Sequence, residues 1–422
     1  MNRPLTEWLA LLEQRHPVAI DLGLDRVGAV ADRLQARRFA CPVITVAGTN
    51  GKGSTVATLE ALARAHGLRV GVYTSPHLLR FNERIRINAV DVSDAALVQA
   101  FEAVEQARAD TSLTYFEFTT LAAFWLFQQQ PLDLVVLEVG MGGRLDAVNL
   151  VDAEVAVITT IDFDHMAFLG NTLEAIAGEK AGICRAGKPV VLADVNRLDV
   201  MLPAVQARSA PALQPERDFR QRLHADGWQF QFRDEPELAL PRPQLGADLV
   251  AAALAAFHLA LPHHWQPAAV ATAVGSAQLT GRWQKLPTTP VTVLDIGHNA
   301  QASRRLAERA MREATGRLHI VLGVLGDKDR KALLEPWQGL TVNGQAPRWY
   351  LADLPGPRAG LASDLRALLP DDAEARGFAD PVTAWQTACQ EAAPADTVLV
   401  FGSFLTVAAV LEAAGKRPGQ GS

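Results

Sequence analysis

One run in this sequence combines glycines, hydroxyls and a lysine: Gly48-Thr49-Asn50-Gly51-Lys52-Gly53-Ser54, placed between a β-branched stretch and an apolar-periodic segment. Glycines allow consecutive backbone N–H groups to converge on phosphate oxygens. A helix N-terminus adds partial positive charge, Lys52 a point charge and Ser54 a hydroxyl. The run departs from the usual GxxxxGK[ST] spacing, because Val46 stands at the first-glycine position and Gly53 separates Lys52 from Ser54. The chemistry it suits is binding of a nucleotide's phosphates.

Two further strand-like stretches end in groups of the same kind. Glu138 closes an apolar run and opens Val139-Gly140-Met141-Gly142-Gly143-Arg144-Leu145-Asp146-Ala147-Val148-Asn149. In open α/β sheets ligands gather at the carboxyl ends of strands, so a carboxylate leaving the sheet there can face a nucleotide's metal. Mg²⁺ takes oxygen ligands and keeps several waters, so one protein carboxylate suffices; Glu138 is the first candidate, with loop capping as its structural alternative. The third run, Ile158-Thr159-Thr160-Ile161-Asp162-Phe163-Asp164-His165, brings two acids and a histidine to one terminus. That set suits a metal shell or acid/base work, or a hydrogen-bonded structural histidine.

The elements that position these groups alternate. β-Branched runs at 43–47, 70–73, 134–139, 155–159 and 190–193 are interleaved with helical patterns such as 55–65, the sequence form of a parallel sheet covered by helices on both faces. A second α/β series follows Arg282: strands at 291–295, 318–323, 349–352 and 397–401, helices at 300–314 and 404–414. Two prolines in five residues at 286–290 read as a stiff linker, predicting domains 1–287 and 288–422. The stretch 195–246 reads as an excursion of small strands and loops, and 416–422 as a disordered tail.

Bulk properties agree. At 422 residues a second core is expected, and a net charge of −6 argues against a nucleic-acid partner. Cys41, Cys184 and Cys389 make no metal or disulfide spacing, which fits a reducing cytoplasm. The N-terminus reads as an amphipathic helix interrupted by Glu7 and Glu13 rather than a signal peptide, and the apolar stretch 249–257 is too short for a bilayer. No heptad or apolar stripe stands out, so a monomer with no membrane contact is expected.

Residues 43–56, 138–149, 158–165 and Gly178-Glu179-Lys180-Ala181-Gly182 closely resemble the folylpolyglutamate synthase and dihydrofolate synthase family, relatives of the Mur ligases. The similarity runs nearly end to end, from Ile20-Asp21-Leu22 to Gly402-Ser403-Phe404. It implies an ATPase domain with a phosphate loop and mostly parallel sheet, followed by a smaller Rossmann-like α/β domain. The implied activity is an ATP-dependent amide ligase: a pteroate or folate carboxylate becomes an acyl phosphate, and the amine of L-glutamate displaces phosphate. A carboxylate is a poor acyl donor, so phosphorylation supplies the leaving group, and catalysis is mainly positioning and charge stabilisation.

The resemblance assigns roles. Thr49, Asn50, Gly51, Lys52, Gly53 and Ser54 hold the ATP phosphates. Ser75, Glu138 and His165 look like ligands of two magnesium ions, and Lys180 resembles the family's carbamylated lysine, whose two anionic oxygens remove the clash between an ammonium and Mg²⁺. Without it, Ser75 reads as a turn before Pro76 and Lys180 as an ordinary helix lysine. Arg282 of Gly281-Arg282-Trp283-Gln284, and Asp295 and His298 of Asp295-Ile296-Gly297-His298-Asn299, look like contacts to ATP and to the phosphate or glutamate region, with closure about 286–290 assembling the site. A nucleotide-contacting asparagine of the family is absent at Gly246-Ala247-Asp248, and a K⁺ requirement stays open.

For the acyl donor, Ile20, Asp21 and Leu22, Thr114, Tyr115, Phe116 and Glu117, and Leu145, Asp146 and Ala147 resemble the dihydropteroate-binding segments of the bifunctional bacterial enzymes. A carboxylate can accept from a pterin's N–H groups, and Tyr115 and Phe116 offer stacking faces, although aromatics there also suit the buried start of a helix. The resemblance therefore implies both dihydrofolate synthase and folylpolyglutamate synthase activity, on 7,8-dihydropteroate and on reduced folates. Alternatives are a monofunctional enzyme, a Mur-type peptide ligase, or a phosphate-loop NTPase switch.

Overall fold

Five consecutive buried residues, Val43–Ala47 (β1), form a central strand of the first sheet. The computed structural model describes residues 3–18, 20–224, 227–356 and 358–415; the expected disordered tail at 416–422 lies outside the described residues. In chain order the other strands of this sheet are Val70–Tyr73 (β2), Ile85–Ile87 (β3), Val90–Asp91 (β4), Leu134–Glu138 (β5), Val155–Ile158 (β6), Val190–Leu192 (β7) and Ala212–Leu213 (β8). They are ordered β4-β3-β2-β5-β1-β6-β7-β8. The pairs from β2 to β8 are parallel, while β3 folds back antiparallel on β2 and β4 on β3. β1, β5 and β6 are buried along their whole length, as strands covered on both faces must be.

The helices follow from apolar periodicity. Leu5–Arg15 buries Leu5, Trp8 and Leu12, one face of the expected amphipathic helix. Trp8 joins Phe101, Phe118, Phe124 and Phe127 in a cluster on Val135 and Leu137. A second cluster sets Ile176, Met201 and Val205 against Ile158 and Leu192. Helix Ala247–Ala260 buries every residue from Leu249 to Phe257, so its all-round apolarity is that of a core helix. Among the described residues no helix is long and apolar enough to cross a membrane. The excursion at 195–246 holds helix Leu198–Gln206, which carries Pro203 inside it, a residue that reads in sequence as a helix breaker. It also holds an antiparallel sheet of Phe219–His224 (β9), Gly227–Phe232 (β10) and Leu238–Leu240 (β11).

The chain divides into two compact units, 1–278 and 279–422. In the second, Gln284–Leu286 (β12), Val291–Leu294 (β13), Leu318–Leu322 (β14), Arg348–Ala352 (β15), Ala375–Phe378 (β16) and Thr397–Phe401 (β17) form a sheet ordered β12-β13-β17-β14-β15-β16. All its pairs are parallel except β12 with β13. That antiparallel pair moves the division from the expected 287 back to 278. Gln284 and Leu286 pair with Leu294 and Thr292, so the proline-rich 286–290 turns within one sheet and does not link two domains.

Candidate active site

Gly48 and Gly51 begin the site, with φ of 152° and 89°. A Cβ on Gly48 would stand 1.8 Å from Thr159 Oγ1, and one on Gly51 2.6 Å from a Leu249 methyl, so both positions require glycine. The loop hangs on the end of β6. The Thr49 N–H donates to the Thr160 carbonyl at 2.8 Å, and the Asn50 N–H to Thr160 Oγ1 at 2.9 Å. Thr159 Oγ1 donates to the Asn50 carbonyl at 2.7 Å, and Thr49 Oγ1 to the Asp162 carbonyl at 3.1 Å. Lys52 opens helix Lys52–Ala65 and folds its ammonium back on the carbonyls of Gly48 and Thr49, at 3.0 and 3.3 Å. Gly53 is half-buried and Ser54 buried in the first turn. Asp248 precedes the Leu249 that packs on Gly51, placing it one residue from the loop's support.

Strand register brings the expected carboxylate to the loop. Glu138 pairs with Val46 and is 5% exposed at the end of β5. The Ser75 N–H, two residues past β2, donates to its carboxylate at 3.4 Å. His165, φ 51°, begins the short helix after β6, with Nε2 3.8 Å from Asp164. Lys180 ends helix Leu173–Lys180 and is 4% exposed. Burial first, then the charge of Lys52, lower its ammonium from 10.5 to about 7, against Asp164 and Asp146. Lys180 is therefore a core residue near the phosphate loop and not a surface helix lysine. Among the described residues no three His, Cys, Asp or Glu side chains cluster as a metal site. The hard oxygen donors of Glu138 and Ser75 suit Mg²⁺, with phosphate and water completing its shell.

Beside Ser75 and His165 opens a cavity of about 270 Å³. Ile20, Asp21, Leu22, Thr114, Phe116, Glu117, Leu145, Asp146 and Ala147 line it, as do Pro76, Arg84, Gly140 and Met141, which sequence reasoning missed. The Phe116 ring lies on the Gly140 backbone, where a Cβ would come within 2.5 Å of it. Tyr115, expected to stack on a pterin, does not line the cavity. Its ring packs edge-on to Phe81 at 6.1 Å, because consecutive helical residues diverge and position 115 faces the core. Thr114 and Glu117 form a capping box for helix Tyr115–Gln128. Arg26 joins Glu117 at 3.0 Å to Asp21 at 2.6 Å, and His16 meets Asp21 at 3.2 Å. Asp146 is 3% exposed, and burial pushes it up to about 6 although the N–H groups of Met141 and Val148 donate to it.

In the second unit Asp295 follows β13 and accepts from the N–H groups of Trp283 at 3.0 Å and Gly297 at 2.8 Å. Desolvation raises its carboxyl, and the Arg282 guanidinium opposes that shift. Arg282 Nε is buried with no hydrogen-bond partner among the described residues. His298 sets Nδ1 3.0 Å from the Ile296 carbonyl and its ring 6.0 Å from Phe404. Asn299 caps helix Ala300–Glu313 through the Ala302 N–H.

Comparison with known proteins gives a consistent picture. Residues 46–260 match the Mur ligase middle domain and residues 281–404 the Mur ligase, glutamate ligase domain. The chain is 41% identical to the dihydrofolate synthase/folylpolyglutamate synthase of Escherichia coli, over 97% of this chain and 95% of that protein. It superposes on Escherichia coli FolC in complex with DHPP and ADP with a TM-score of 0.93 at 40% identity, covering 99% of each chain. A bifunctional folylpolyglutamate synthase/dihydrofolate synthase with Mn, AMPPNP and L-glutamate bound gives 0.90 at 42%, covering 98% of each.

Proposed function

Since the chain belongs to the Mur ligase family, in its dihydrofolate synthase/folylpolyglutamate synthase branch, we propose that the cavity beside Ser75 is its acyl-donor site and the loop at 48–54 its phosphate site. The enzyme is an ATP-dependent ligase that adds L-glutamate to 7,8-dihydropteroate, forming dihydrofolate, and to reduced folates, forming polyglutamates. One observation carries the site reading. A single cavity is lined by Asp146, Phe116, Ser75 and His165, and the Ser75 N–H is hydrogen-bonded to the Glu138 that pairs with the loop strand.

In this reading Asp146 accepts from the pterin's N–H groups and Phe116 offers a ring face. A carboxylate oxygen of the acyl donor attacks the γ-phosphorus of ATP, ADP departs, and an acyl phosphate forms; the glutamate amine then attacks the acyl carbon and phosphate leaves. Lys52 and the N–H groups that open helix Lys52–Ala65 stabilise charge on the transferring phosphoryl group, while the Thr49 and Asn50 N–H groups anchor the loop on Thr160. Glu138, Ser75 and His165, with Lys180 as its carbamate, would hold two Mg²⁺ ions, whose contribution is to offset phosphate charge. Lys180 suits carbamylation because a lysine lowered to about 7 is substantially an unprotonated amine, the form that adds CO₂. Arg282 and Asp295 are assigned to ATP, and His298 to the phosphate and glutamate region. The enzyme is taken as a cytoplasmic monomer. The test incubates ATP, Mg²⁺ and glutamate with either dihydropteroate or a reduced folate monoglutamate. Product from both is expected; product from one rejects bifunctionality, and ATP hydrolysis without glutamate rejects the ligase.

A further inference from the structure

Arg84 stands apart from the arginines around it. It is half-buried and lines the cavity with Asp21, Glu117 and Asp146, yet among the described residues no carboxylate pairs with it. Each of those acids is served elsewhere: Asp21 and Glu117 by Arg26, and Asp146 by backbone N–H groups. Arg84 is nevertheless held in place. Its Nε donates to His77 Nδ1 at 2.8 Å, and its guanidinium lies over Phe81 at 5.6 Å and Tyr115 at 5.5 Å. Burial and Arg84 itself lower His77, keeping the ring a neutral acceptor. Two edge nitrogens of a fixed guanidinium thus remain available, a geometry matched to a carboxylate.

Which carboxylate follows from the sheet. The phosphate loop leaves β1, Glu138 ends β5, Ser75 follows β2, and Arg84 enters β3, the next strand over. Strands lie about 4.8 Å apart, so the backbone at Arg84 stands three strand spacings, roughly 14 Å, along the sheet edge from the strand that carries the loop, which favours a carboxylate set back from the reacting one. The two acyl donors share a pterin and a p-aminobenzoyl group, and only the folate carries a second carboxylate. We propose that Arg84 receives the α-carboxylate of the terminal glutamyl residue of a folate acyl donor, and so serves the second activity and not the first. This rests on the cavity being the acyl-donor site.

The test compares both donors on the unaltered enzyme, Arg84→Gln and Arg84→Lys, and adds a reduced folate whose α-carboxylate is replaced by a carboxamide. For Arg84→Gln, KM for the reduced folate should rise about tenfold or more beyond any rise in the dihydropteroate KM, the scale of a lost charge-assisted pair. Arg84→Lys should recover part of the loss. On the unaltered enzyme the carboxamide should weaken use about tenfold, and on Arg84→Gln it should add nothing. Equal losses for both donors, or a carboxamide used as well as the acid, would overturn the assignment. The carboxamide comparison decides it even where the Gln variant does not fold. If the unaltered enzyme ligates neither donor, the ligase reading fails instead.

Discussion

The Ser75 N–H donates to the Glu138 carboxylate at 3.4 Å, joining the segment after β2 to the end of β5 one strand from the phosphate loop. Glu138→Gln keeps an oxygen acceptor for that N–H and removes the negative charge. Thermal stability should therefore change little, while ADP formation falls by about 100-fold and the Mg²⁺ concentration for half-activity rises about tenfold or more, the cost of a lost metal carboxylate. A Mg²⁺ titration of ATP turnover beside a melting curve checks this. A variant with a wild-type Mg²⁺ midpoint would remove Glu138 from the ion's shell.

Gly48→Ala should be far more damaging than its size suggests. The new Cβ would fall 1.8 Å from Thr159 Oγ1, at a φ of 152° that L side chains rarely adopt, so the loop must leave β6. The expected outcome is loss of measurable ADP binding by calorimetry. Gly178→Ala is the control: a Cβ there meets nothing within 4 Å in helix Leu173–Lys180, and stability should hold or rise by up to about 1 kcal/mol.

Lys180 predicts a pH slope in stability. Its folded value of about 7 lies below the ordinary 10.5, so between those limits the unfolded chain holds a proton the folded chain lacks, and stability rises with pH. Below about 7 both states are protonated and the contribution is flat. Urea unfolding in CO₂-free buffer at pH 7, 8 and 9 should show the rise in the unaltered protein and a smaller one in Lys180→Met. Labelled bicarbonate should give a carbamate carbon signal that Lys180→Met lacks. Full ligation by that variant would refute a catalytic role.

How much of this was legible in the sequence depended on locality. The loop 48–54, Glu138 and the strand runs are short-range patterns, and strands at 43–47, 70–73 and 397–401 match the expected limits. Tyr115 and Phe116 could not be told apart, since adjacent helical positions diverge and only packing shows which one faces the cavity. Arg84 was invisible because it reaches the cavity through the antiparallel return of β3 on β2, a tertiary event with no local signature. Prolines at 287 and 290 signalled a break in regular structure, but a hairpin-like turn and a linker share that composition.

Asp146 offers the sharpest test of the pterin assignment. Burial raises its carboxyl from 3.8 to about 6, so the folded chain binds a proton more readily than the unfolded one. Its contribution to stability is present below about 4 and is lost as pH rises through about 6. Binding runs the other way, because the ionised carboxylate is the stronger acceptor for pterin N–H donors. KM for dihydropteroate should thus fall as pH rises from 5 to 7, with its midpoint near 6. Asp146→Asn should flatten that profile and raise KM about tenfold or more at pH 7, the cost of replacing an ionic acceptor by a neutral one. KM for ATP should change much less, since the Asp146 carboxylate accepts from the Met141 and Val148 N–H groups, which lie outside the phosphate loop. A flat KM profile in the unaltered enzyme, or an Asn variant that loses ATP and dihydropteroate equally, would take the pterin contact away from Asp146.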